Sequence, residues 1–332
     1  MTFMKQNSPL VLTSENAFKR LIIYHIATWF MVLTALVIQG VLGIEYFVFG
    51  LAQIMTAILV TLFFVMLQSI TLHKEHPITF KNIYRPLTYG LLAALLLPTQ
   101  APLYMLGIAI VIIHVTEFIF KKLFNKNIMH PVLLSILIVQ LVFRDQFEVS
   151  ETMSNIFQSE TLTLGRLRLF FGAYEGLTLG TTAFIILGLL WIYMSISKIV
   201  DYRVGLWYLL HLSIFVVSLT LFTDYAFLPL FAQLMLGYAL LTLVFFIGEP
   251  TASPETPEMR IIFPFITVLL AVILRLQYDI IEAPLYAVVF AQFLTWGFEQ
   301  IYHRTTKLRL RIAHSFIIVV WIIVLVNIIW FR

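Results

Sequence analysis

The sequence predicts an all-α polytopic membrane protein, with about 10–11 transmembrane helices in two repeats of inverted topology. Three observations lead to this prediction. Hydrophobic residues make up 61% of the 332-residue chain and charged residues only 11%, whereas about a quarter of an ordinary globular domain is charged. Apolar runs long enough to cross a bilayer as helices recur along the chain. A proline motif recurs in the second half.

Turn signals separate the apolar runs into nine long segments and two short ones. The long predicted spans are residues 19–42, 47–70, 101–120, 178–199, 205–222, 228–247, 260–276, 281–302 and 312–331. The short segments are residues 87–98 and 129–143, and counting both as crossings gives eleven. The polar N-terminus runs into the first apolar segment without a small-residue cleavage site. We therefore expect a retained first helix rather than a removable signal peptide.

The positions of lysine and arginine predict the orientation of the chain. With a cytoplasmic N-terminus, 16 of the 21 basic residues fall on the inner side of the membrane. The positive-inside rule predicts this asymmetry for a correct threading, because one missed crossing would scatter the later charges over both sides. We expect a multi-pass protein of the bacterial inner membrane with its N-terminus in the cytoplasm and the lipid bilayer as its surroundings.

This threading divides the chain into five parts. They are a cytoplasmic tail (1–18), a first membrane repeat (19–143), an exterior loop (144–177), a second membrane repeat (178–302) and a basic loop with a final helix (303–332). The net charge of +4 follows from this topology and gives no reason to expect a nucleic-acid partner. The chain has no cysteine, which excludes disulfides, thiolate-bound iron–sulfur clusters and a cysteine nucleophile.

The internal repeat is identified from the positions of prolines. Pro98-Thr99 near the end of one apolar run recurs 152 residues later as Pro250-Thr251, and a second proline follows each copy after 33 or 34 residues, at Pro131 and Pro284. The first Pro-Thr turn falls outside in this threading and the second inside, as an inverted repeat requires. Broken helices free backbone groups that a polar ligand can satisfy. Two ordinary turns remain the alternative interpretation.

Five motifs in chain order resemble the RnfD and NqrB family of membrane electron-transport subunits. They are Gly90 to Pro98 with Ala101-Pro102-Leu103, Lys122-Leu123-Phe124-Asn125-Lys126-Asn127 with His130-Pro131, Glu175-Gly176-Leu177-Thr178-Leu179-Gly180-Thr181-Thr182-Ala183, Ile199-Val200-Asp201-Tyr202-Arg203-Val204, and Glu249 to Pro254 with Pro257 and Arg260. The resemblance implies a fold of about ten helices in two inverted repeats. It also implies a flavin-linked subunit of a membrane oxidoreductase of the translocase type, which works with other electron-transport subunits and is coupled to Na⁺ or H⁺ movement.

The same resemblance implies which residues bind the cofactor, FMN or riboflavin. They are Thr161, Glu175, Gly176, Gly180, Thr182, Glu249, Thr251 and Asn127. The family attaches flavin to the threonine of a Ser-Gly-Ala-Thr motif, which this sequence lacks. Thr161 is nearest the expected place but follows Glu160, so we expect non-covalent flavin and a solvated Thr161. The family's glutamate after Gly180 is also missing, and Glu175 is the carboxylate that could replace it.

Two alternatives stay open at this stage. A transporter or permease, or a non-redox component of a biosynthetic complex, could use the same scaffold after losing the redox chemistry. Glu117 and Glu299 are expected to pair with Lys121 and Arg304 at the membrane surface rather than to form a site. Histidines within the apolar spans are expected to pack singly, and no spacing of residues predicts a catalytic group or a metal site.

Overall fold

The computed structural model describes residues 14–71, 80–98, 101–124, 127–143, 178–181, 184–222, 238–249, 253–254, 256–278, 280, 282–302 and 317. Its helices are α1 (Ser14–Leu42), α2 (Ile44–Thr71), α3 (Phe80–Leu96), α4 (Leu103–Phe124), α5 (Pro131–Val142), α6 (Phe184–Ile196), α7 (Tyr202–Phe222), α8 (Tyr238–Thr242), α9 (Met259–Tyr278) and α10 (Ala283–Tyr302). A 3-10 turn, Leu179–Thr181, precedes α6, and α8 continues as a π-helical turn, Leu243–Ile247. Within these ranges β structure is limited to one isolated bridge, between Pro98 and Thr178.

Five of the described helices are long and apolar enough to cross a membrane, namely α1, α2, α4, α7 and α9. The outward faces of α1 and α2 expose large apolar side chains such as Val41 (78%) and Phe63 (62%), whereas Met31 and Ala57 on their inner faces are fully buried. Exposed apolar surface of this extent requires a lipid environment. The chain is therefore an all-α, multi-pass membrane protein in contact with the bilayer, as the sequence predicts.

Two short helices form the centre of the bundle. Leu91–Leu97, at the end of α3, is completely shielded, and the π-helical turn Leu243–Ile247 after α8 is at most 1% exposed. A helix that is apolar on all sides is stable only when protein surrounds it on all sides. These two segments are consequently packed inside a shell that includes α1, α2, α4, α5, α6, α7 and α10.

The two central helices are antiparallel. Tyr89, which precedes the shielded segment Leu91–Leu97 of α3, and Phe246, late in the α8 segment, both contact His130. At the other end, Leu95 late in α3 and Leu241 early in the α8 segment both lie against Gly180. Equivalent halves with opposite directions are what the inverted-repeat prediction requires.

Two of the repeated prolines, Pro131 and Pro284, occupy equivalent positions in the two halves. Pro131 begins α5 and Pro284 is the second residue of α10, while Pro98 follows the end of α3 and Pro250 lies outside the described residues. Proline is tolerated in a first helical turn, where its missing N–H has no intrahelical partner. Each half therefore contains a short buried helix, a long helix and a helix with proline in its first turn, in that order.

Some helix bounds differ from the sequence prediction. Helix α3 begins at Phe80 rather than at residue 87, and α6 begins at Phe184 rather than at 178. The first difference arises because Arg85 forms an ion pair with Glu117. The paired charge can lie within the helix, so α3 starts before Arg85 rather than after it. The second arises because residues 178–181 form a turn against α3. Residues 223–237 and nearly all of the predicted last span, 312–331, lie outside the described part of the chain.

Candidate functional site

The ends of the central helices create two junctions. We call Pro98 with Thr178–Thr181 the threonine junction, and Asn127–His130 with Gly248–Glu249 the histidine junction. The threonine junction adjoins the end of α3 and the start of α8, and the histidine junction adjoins the start of α3 and the end of the α8 segment. Opposite ends of the same antiparallel pair are thus lined by different residues.

The threonine junction is closely packed, and its described residues, Pro98 and Thr178–Thr181, carry no charged side chain. Gln53 Nε2 donates a hydrogen bond to the Pro98 carbonyl oxygen at 2.5 Å. The Thr178 hydroxyl donates to Thr181 Oγ1 at 3.2 Å, and Thr181 Oγ1 donates to the Thr178 carbonyl oxygen at 3.1 Å. A Cβ atom on Gly180 would lie 2.8 Å from the Leu95 carbonyl oxygen. Glycine at this position is what allows the turn to approach the end of α3 so closely.

The histidine junction contains a buried imidazole and a buried carboxylate. His130 is completely shielded, and its Nε2 atom lies 3.5 Å from Glu249 Oε2. The His130 backbone N–H donates to Gln292 Oε1 at 2.8 Å. The rings of Tyr89 and Phe246 pack edge-on against the imidazole, with centroid distances of 5.1 and 4.8 Å. Residues from both repeats therefore meet at His130.

A row of polar side chains connects this junction with the protein surface. Arg85 donates to Tyr89 Oη from Nε and Nη2, at 3.2 and 3.0 Å. The Arg85 Nε atom also lies 3.2 Å from Glu117 Oε1, and Lys121 Nζ lies 2.9 Å from the same oxygen. About half of the Lys121 side chain is exposed, compared with 10% for Glu117. The row leads from a solvated lysine to the aromatic ring beside His130.

The position of Glu249 is electrostatically unfavourable for an ionised carboxylate. It follows the carboxyl end of the α8 segment, where the helix dipole carries partial negative charge and disfavours an anion. Arg85 is near enough to attract the carboxylate electrostatically. A buried carboxylate in such a place requires compensation from a cation, a proton or hydrogen-bond donors.

Several shielded polar atoms at or next to this junction have no hydrogen-bond partner among the described atoms. They include Asn127 Oδ1, His130 Nδ1 and Gln292 Nε2. Buried polar atoms in proteins are nearly always satisfied, by protein, water or ligand. The set includes an acceptor, a donor and an imidazole nitrogen that can be either, so it can bind a planar polar ligand.

The predicted site residues divide between the two junctions. Asn127 and Glu249 lie at the histidine junction, whereas Gly180 lies at the threonine junction beside Leu241. Glu249 lies eight positions after Leu241, which corresponds to roughly 12 Å along a helix. The structure therefore separates Gly180 from the other two. Thr161, Glu175, Gly176, Thr182 and Thr251 lie outside the described residues.

Four residues of the histidine junction and its polar row were not predicted as site residues. They are Arg85, Tyr89, His130 and Gln292. Arg85 and Tyr89 stand one helical turn apart in the sequence, and His130 lies within the quoted Asn127 to Pro131 motif, so both features were available signals. The Gln292 side chain accepts a hydrogen bond from the backbone N–H of His130, 162 positions away in the chain. A contact over such a distance leaves no local sequence pattern.

Other buried polar groups have structural partners. The predicted pairing of Glu117 with Lys121 is confirmed at 2.9 Å, with Arg85 as an additional partner. Glu299 accepts a hydrogen bond from the Thr256 backbone N–H at 3.0 Å. Its predicted partner Arg304 lies outside the described residues, so that pairing stays a prediction. Burial raises the pKa of the Glu282 carboxyl, in the turn before α10, and the nearby Arg275 opposes this shift.

The histidines within the helices pack separately. Trp29 Nε1 donates to His25 Nε2 at 2.9 Å, and His25 Nδ1 lies 2.8 Å from Thr88 Oγ1. Because Nε2 accepts, these partners assign the proton to Nδ1 of a neutral imidazole. His114 stacks on Phe64, and His211 stacks on Trp207. Among the described residues, no three histidine, aspartate or glutamate side chains are grouped as metal ligands.

Comparison with known families finds one family model that covers most of the chain. The model of the NQR2, RnfD, RnfE family matches residues 6–307, which is most of the 332-residue chain. Among curated proteins, a search found none that matches this chain significantly. The family match covers both central helices, both junctions and all eight predicted site residues. This chain is thus a member of the NQR2, RnfD, RnfE family of membrane proteins.

Proposed function

We propose that the chain is an electron-transport subunit that binds flavin, as FMN or riboflavin, non-covalently at the histidine junction. It lies in the bacterial inner membrane with other electron-transport subunits and takes part in coupling redox chemistry to Na⁺ or H⁺ movement. Membership of the family supports the membrane-subunit part of this proposal. The flavin part is supported by the chemistry of the residues at the junction.

The observation that carries the flavin proposal is the set of unpaired buried atoms. The isoalloxazine ring presents an N–H donor between two carbonyl acceptors along one edge. Asn127 Oδ1 is suited to accept from that N–H, and Gln292 Nε2 is suited to donate to a neighbouring carbonyl; neither atom has a partner among the described residues. Glu249 is suited to accept from a ribityl hydroxyl. The flavin would supply the electron transfer, and these residues would hold it and exclude water.

Covalent attachment is not part of the proposal. The sequence has no Ser-Gly-Ala-Thr, and Thr161 is flanked by Glu160 instead of small residues. A transferase that recognises the small residues would meet a charged side chain. Non-covalent binding relies on the buried junction instead of the exterior loop.

A visible spectrum of the purified protein, before and after acid precipitation, tests the proposal. We expect a flavin spectrum that moves entirely into the supernatant on precipitation. Absence of flavin absorbance even after reconstitution with riboflavin or FMN would contradict flavin binding. Flavin that stays with the pellet, and that is lost in Thr161→Val, would contradict the non-covalent part alone.

Substitutions at the two junctions locate the site. Asn127→Leu and Gln292→Leu each remove one hydrogen-bonding group, which corresponds to a loss of about tenfold in flavin affinity. Gln53→Leu is the matched control, since Gln53 is an equally buried glutamine at the threonine junction, and its flavin affinity should be unchanged. An equal loss in the Gln53 variant would place the flavin elsewhere.

A permease is the second candidate function. Two departures from the family motifs favour it: the Ser-Gly-Ala-Thr motif is missing, and Thr181 stands where the family has glutamate after the glycine. A fold can be retained after its original redox function is lost. This function predicts solute uptake into vesicles that contain the purified chain and no redox partner. Flavin-free protein that transports a solute would replace the electron-transport proposal.

The orientation of the chain is also proposed from its charges. Lys121 and Lys122 end α4, and Arg203 and Arg260 lie near the starts of α7 and α9. The Arg260 guanidinium lies 3.1 Å from Asp201 Oδ2, and the Asp201 backbone N–H donates to Gly248 O at 3.0 Å. These basic residues therefore gather at the end of the bundle that holds the histidine junction. The positive-inside rule assigns that end to the cytoplasm.

A further inference from the structure

We propose that an anionic phospholipid binds at the turn between α6 and α7. Its phosphate contacts Lys198 and Arg203, and its acyl chains lie along the two helices beneath the turn. The inference does not rest on the flavin proposal, because both basic side chains are exposed on the surface of the bundle. It holds for either orientation of the chain, since phospholipid phosphates lie at both surfaces of a bilayer.

The turn begins with an unusual backbone conformation at Lys198. Its φ is 55°, and among the described residues it is the only non-glycine residue with a positive φ. The Lys198 N–H donates to the Ser195 carbonyl oxygen at 3.1 Å, and the Ile199 N–H donates to that of Met194 at 2.9 Å. Glycine is the usual residue at this position of such a helix cap, because a Cβ atom is unfavourable there. A lysine kept against this preference indicates a role for its side chain.

The second basic residue, Arg203, is held in place by its neighbours. Its guanidinium carbon lies 5.8 Å from the centroid of the Tyr202 ring, and its backbone N–H donates to Asp201 Oδ1 at 3.1 Å. Asp201 Oδ2 lies 3.1 Å from Arg260 Nη1, so both oxygens of this carboxylate are engaged. A guanidinium has a planar fork of N–H donors that matches phosphate oxygens, and its position over a ring leaves that fork accessible.

Both basic residues lie at the level of the lipid headgroups. The apolar span formed by α7 begins at Tyr202, and Lys198 follows the end of α6 by two positions. Tyr193 and Tyr202 are exposed on either side of the turn, and exposed tyrosines near span ends are typical of the membrane–water interface. Each lysine or arginine at this level favours an anionic headgroup over a zwitterionic one, and any exposed ion pair that it forms is weak.

The surface beneath the turn is apolar and belongs to both helices. Helices α6 and α7 meet there, because a Cβ atom on Gly205 would lie 2.7 Å from Trp191 Nε1. The large side chains exposed near this contact are aliphatic, namely Ile192, Ile196, Leu206 and Leu210. Such side chains contact acyl chains in a bilayer. Basic residues above and aliphatic residues beneath thus match the two parts of an anionic phospholipid.

Native mass spectrometry of the full-length chain in detergent tests the class of headgroup. The protein is titrated with phosphatidylglycerol, which is anionic, or with phosphatidylcholine, which is zwitterionic. We expect phosphatidylglycerol to bind about tenfold more tightly or better, and Arg203→Gln to weaken its binding about fivefold. Equal binding of the two lipids, or unchanged binding in Arg203→Gln, would overturn the proposal.

Lys198→Gly separates the role of the side chain from that of the backbone. Glycine removes the charge and adopts the positive φ readily, so phosphatidylglycerol binding should weaken about fivefold. The thermal unfolding midpoint in lipid-free detergent should stay equal or rise. Lys198→Arg keeps the charge and should keep the lipid affinity. Unchanged lipid binding in Lys198→Gly, or a lower unfolding midpoint, would show that the lysine has a structural role and would overturn the proposal.

Lys122→Gln is the matched control. Lys122 is also exposed, and its Nζ atom lies 5.8 Å from the centroid of the Phe118 ring, but it is near the end of α4. Phosphatidylglycerol affinity should remain unchanged in this variant, and a fivefold loss would show that all surface charges contribute alike, which would overturn a specific site. Inorganic phosphate should not displace the lipid, because it has no acyl chains. Displacement would assign the turn to a free anion and overturn the lipid proposal.

Discussion

The two junctions occupy equivalent places in an inverted repeat but have different chemistry. At the threonine junction, glycine and threonine allow close packing, and the named polar groups bond mainly to the backbone. At the histidine junction, a buried imidazole, a buried carboxylate and unpaired amide atoms converge. The first arrangement stabilises the crossing of the two halves. The second contains buried hydrogen-bond donors and acceptors that the described residues leave without partners, which is typical of a binding site.

The contrast shows how one scaffold supports two roles. Both junctions need a close backbone approach, provided by Gly180 in one and Gly248 in the other, where an added Cβ would lie 2.8 Å from a neighbouring atom. Only the surrounding side chains differ. Replacing the glycines tests the structural role of the junctions, and replacing the charged or polar side chains tests their chemical role.

The largest expected effect follows from removing Arg85. Arg85→Met leaves Glu117 with Lys121 alone and takes the donors away from Tyr89, so we expect a loss of about 3–5 kcal/mol in unfolding free energy. Lys121→Met should lose only about 0.2–1 kcal/mol, because the Lys121 side chain is half exposed and solvent screens its charge. Denaturant unfolding of both variants in the same micelles measures the difference. Equal losses would contradict the buried role of Arg85.

An intermediate effect is expected from the two glycines. In Gly180→Ala the new Cβ meets the Leu95 carbonyl oxygen, and in Gly248→Ala it meets Val200 Cβ. Each variant should lose about 1–3 kcal/mol, the usual cost of overpacking. The control is Gly188→Ala within α6, where the Cβ meets nothing within 4 Å and improved helix propensity should raise thermal stability slightly. If all three behaved alike, close approach at the junctions would not be the reason for glycine.

The smallest effect is expected at the hydroxyl groups of the threonine junction. Thr181→Val removes a buried donor to the Thr178 carbonyl oxygen and an acceptor for the Thr178 hydroxyl, with an expected loss of about 1 kcal/mol. Thr34→Val is the comparison, since Thr34 bonds to Phe30 on an exposed part of α1 and should show little change. Thermal unfolding of the two variants gives the comparison. Similar melting temperatures would argue against a structural role for the junction hydroxyls.

Hydrophobic runs and repeated prolines predicted the helices and the inverted halves, because both depend on local length and backbone geometry. The proline positions also predicted where the central helices end. Asn127 and Glu249 come from separate family motifs, and their roles in cofactor binding stay a prediction. Arg85 was not predicted as part of the site, because its partner Glu117 is on another helix and a basic residue near a span end is more often a surface charge.

The separation of Gly180 from Glu249 could not be predicted either. Both belong to motifs of one family, and sequence spacing does not show that α3 and the α8 segment are antiparallel. That arrangement depends on contacts between residues far apart in the chain, such as Tyr24 with Phe245. Only the three-dimensional packing distinguishes two junctions from one.

Cysteine accessibility tests the inverted arrangement most directly, and the chain has no native cysteine to remove. Lys122→Cys, at the end of α4, and Tyr278→Cys, at the end of α9, are both exposed positions. We expect a membrane-impermeant maleimide to label Tyr278→Cys in intact cells from which the outer membrane has been removed, and Lys122→Cys only in inverted vesicles. Labelling of both positions from the same side would contradict the account of two opposed halves with the histidine junction at the cytoplasmic end.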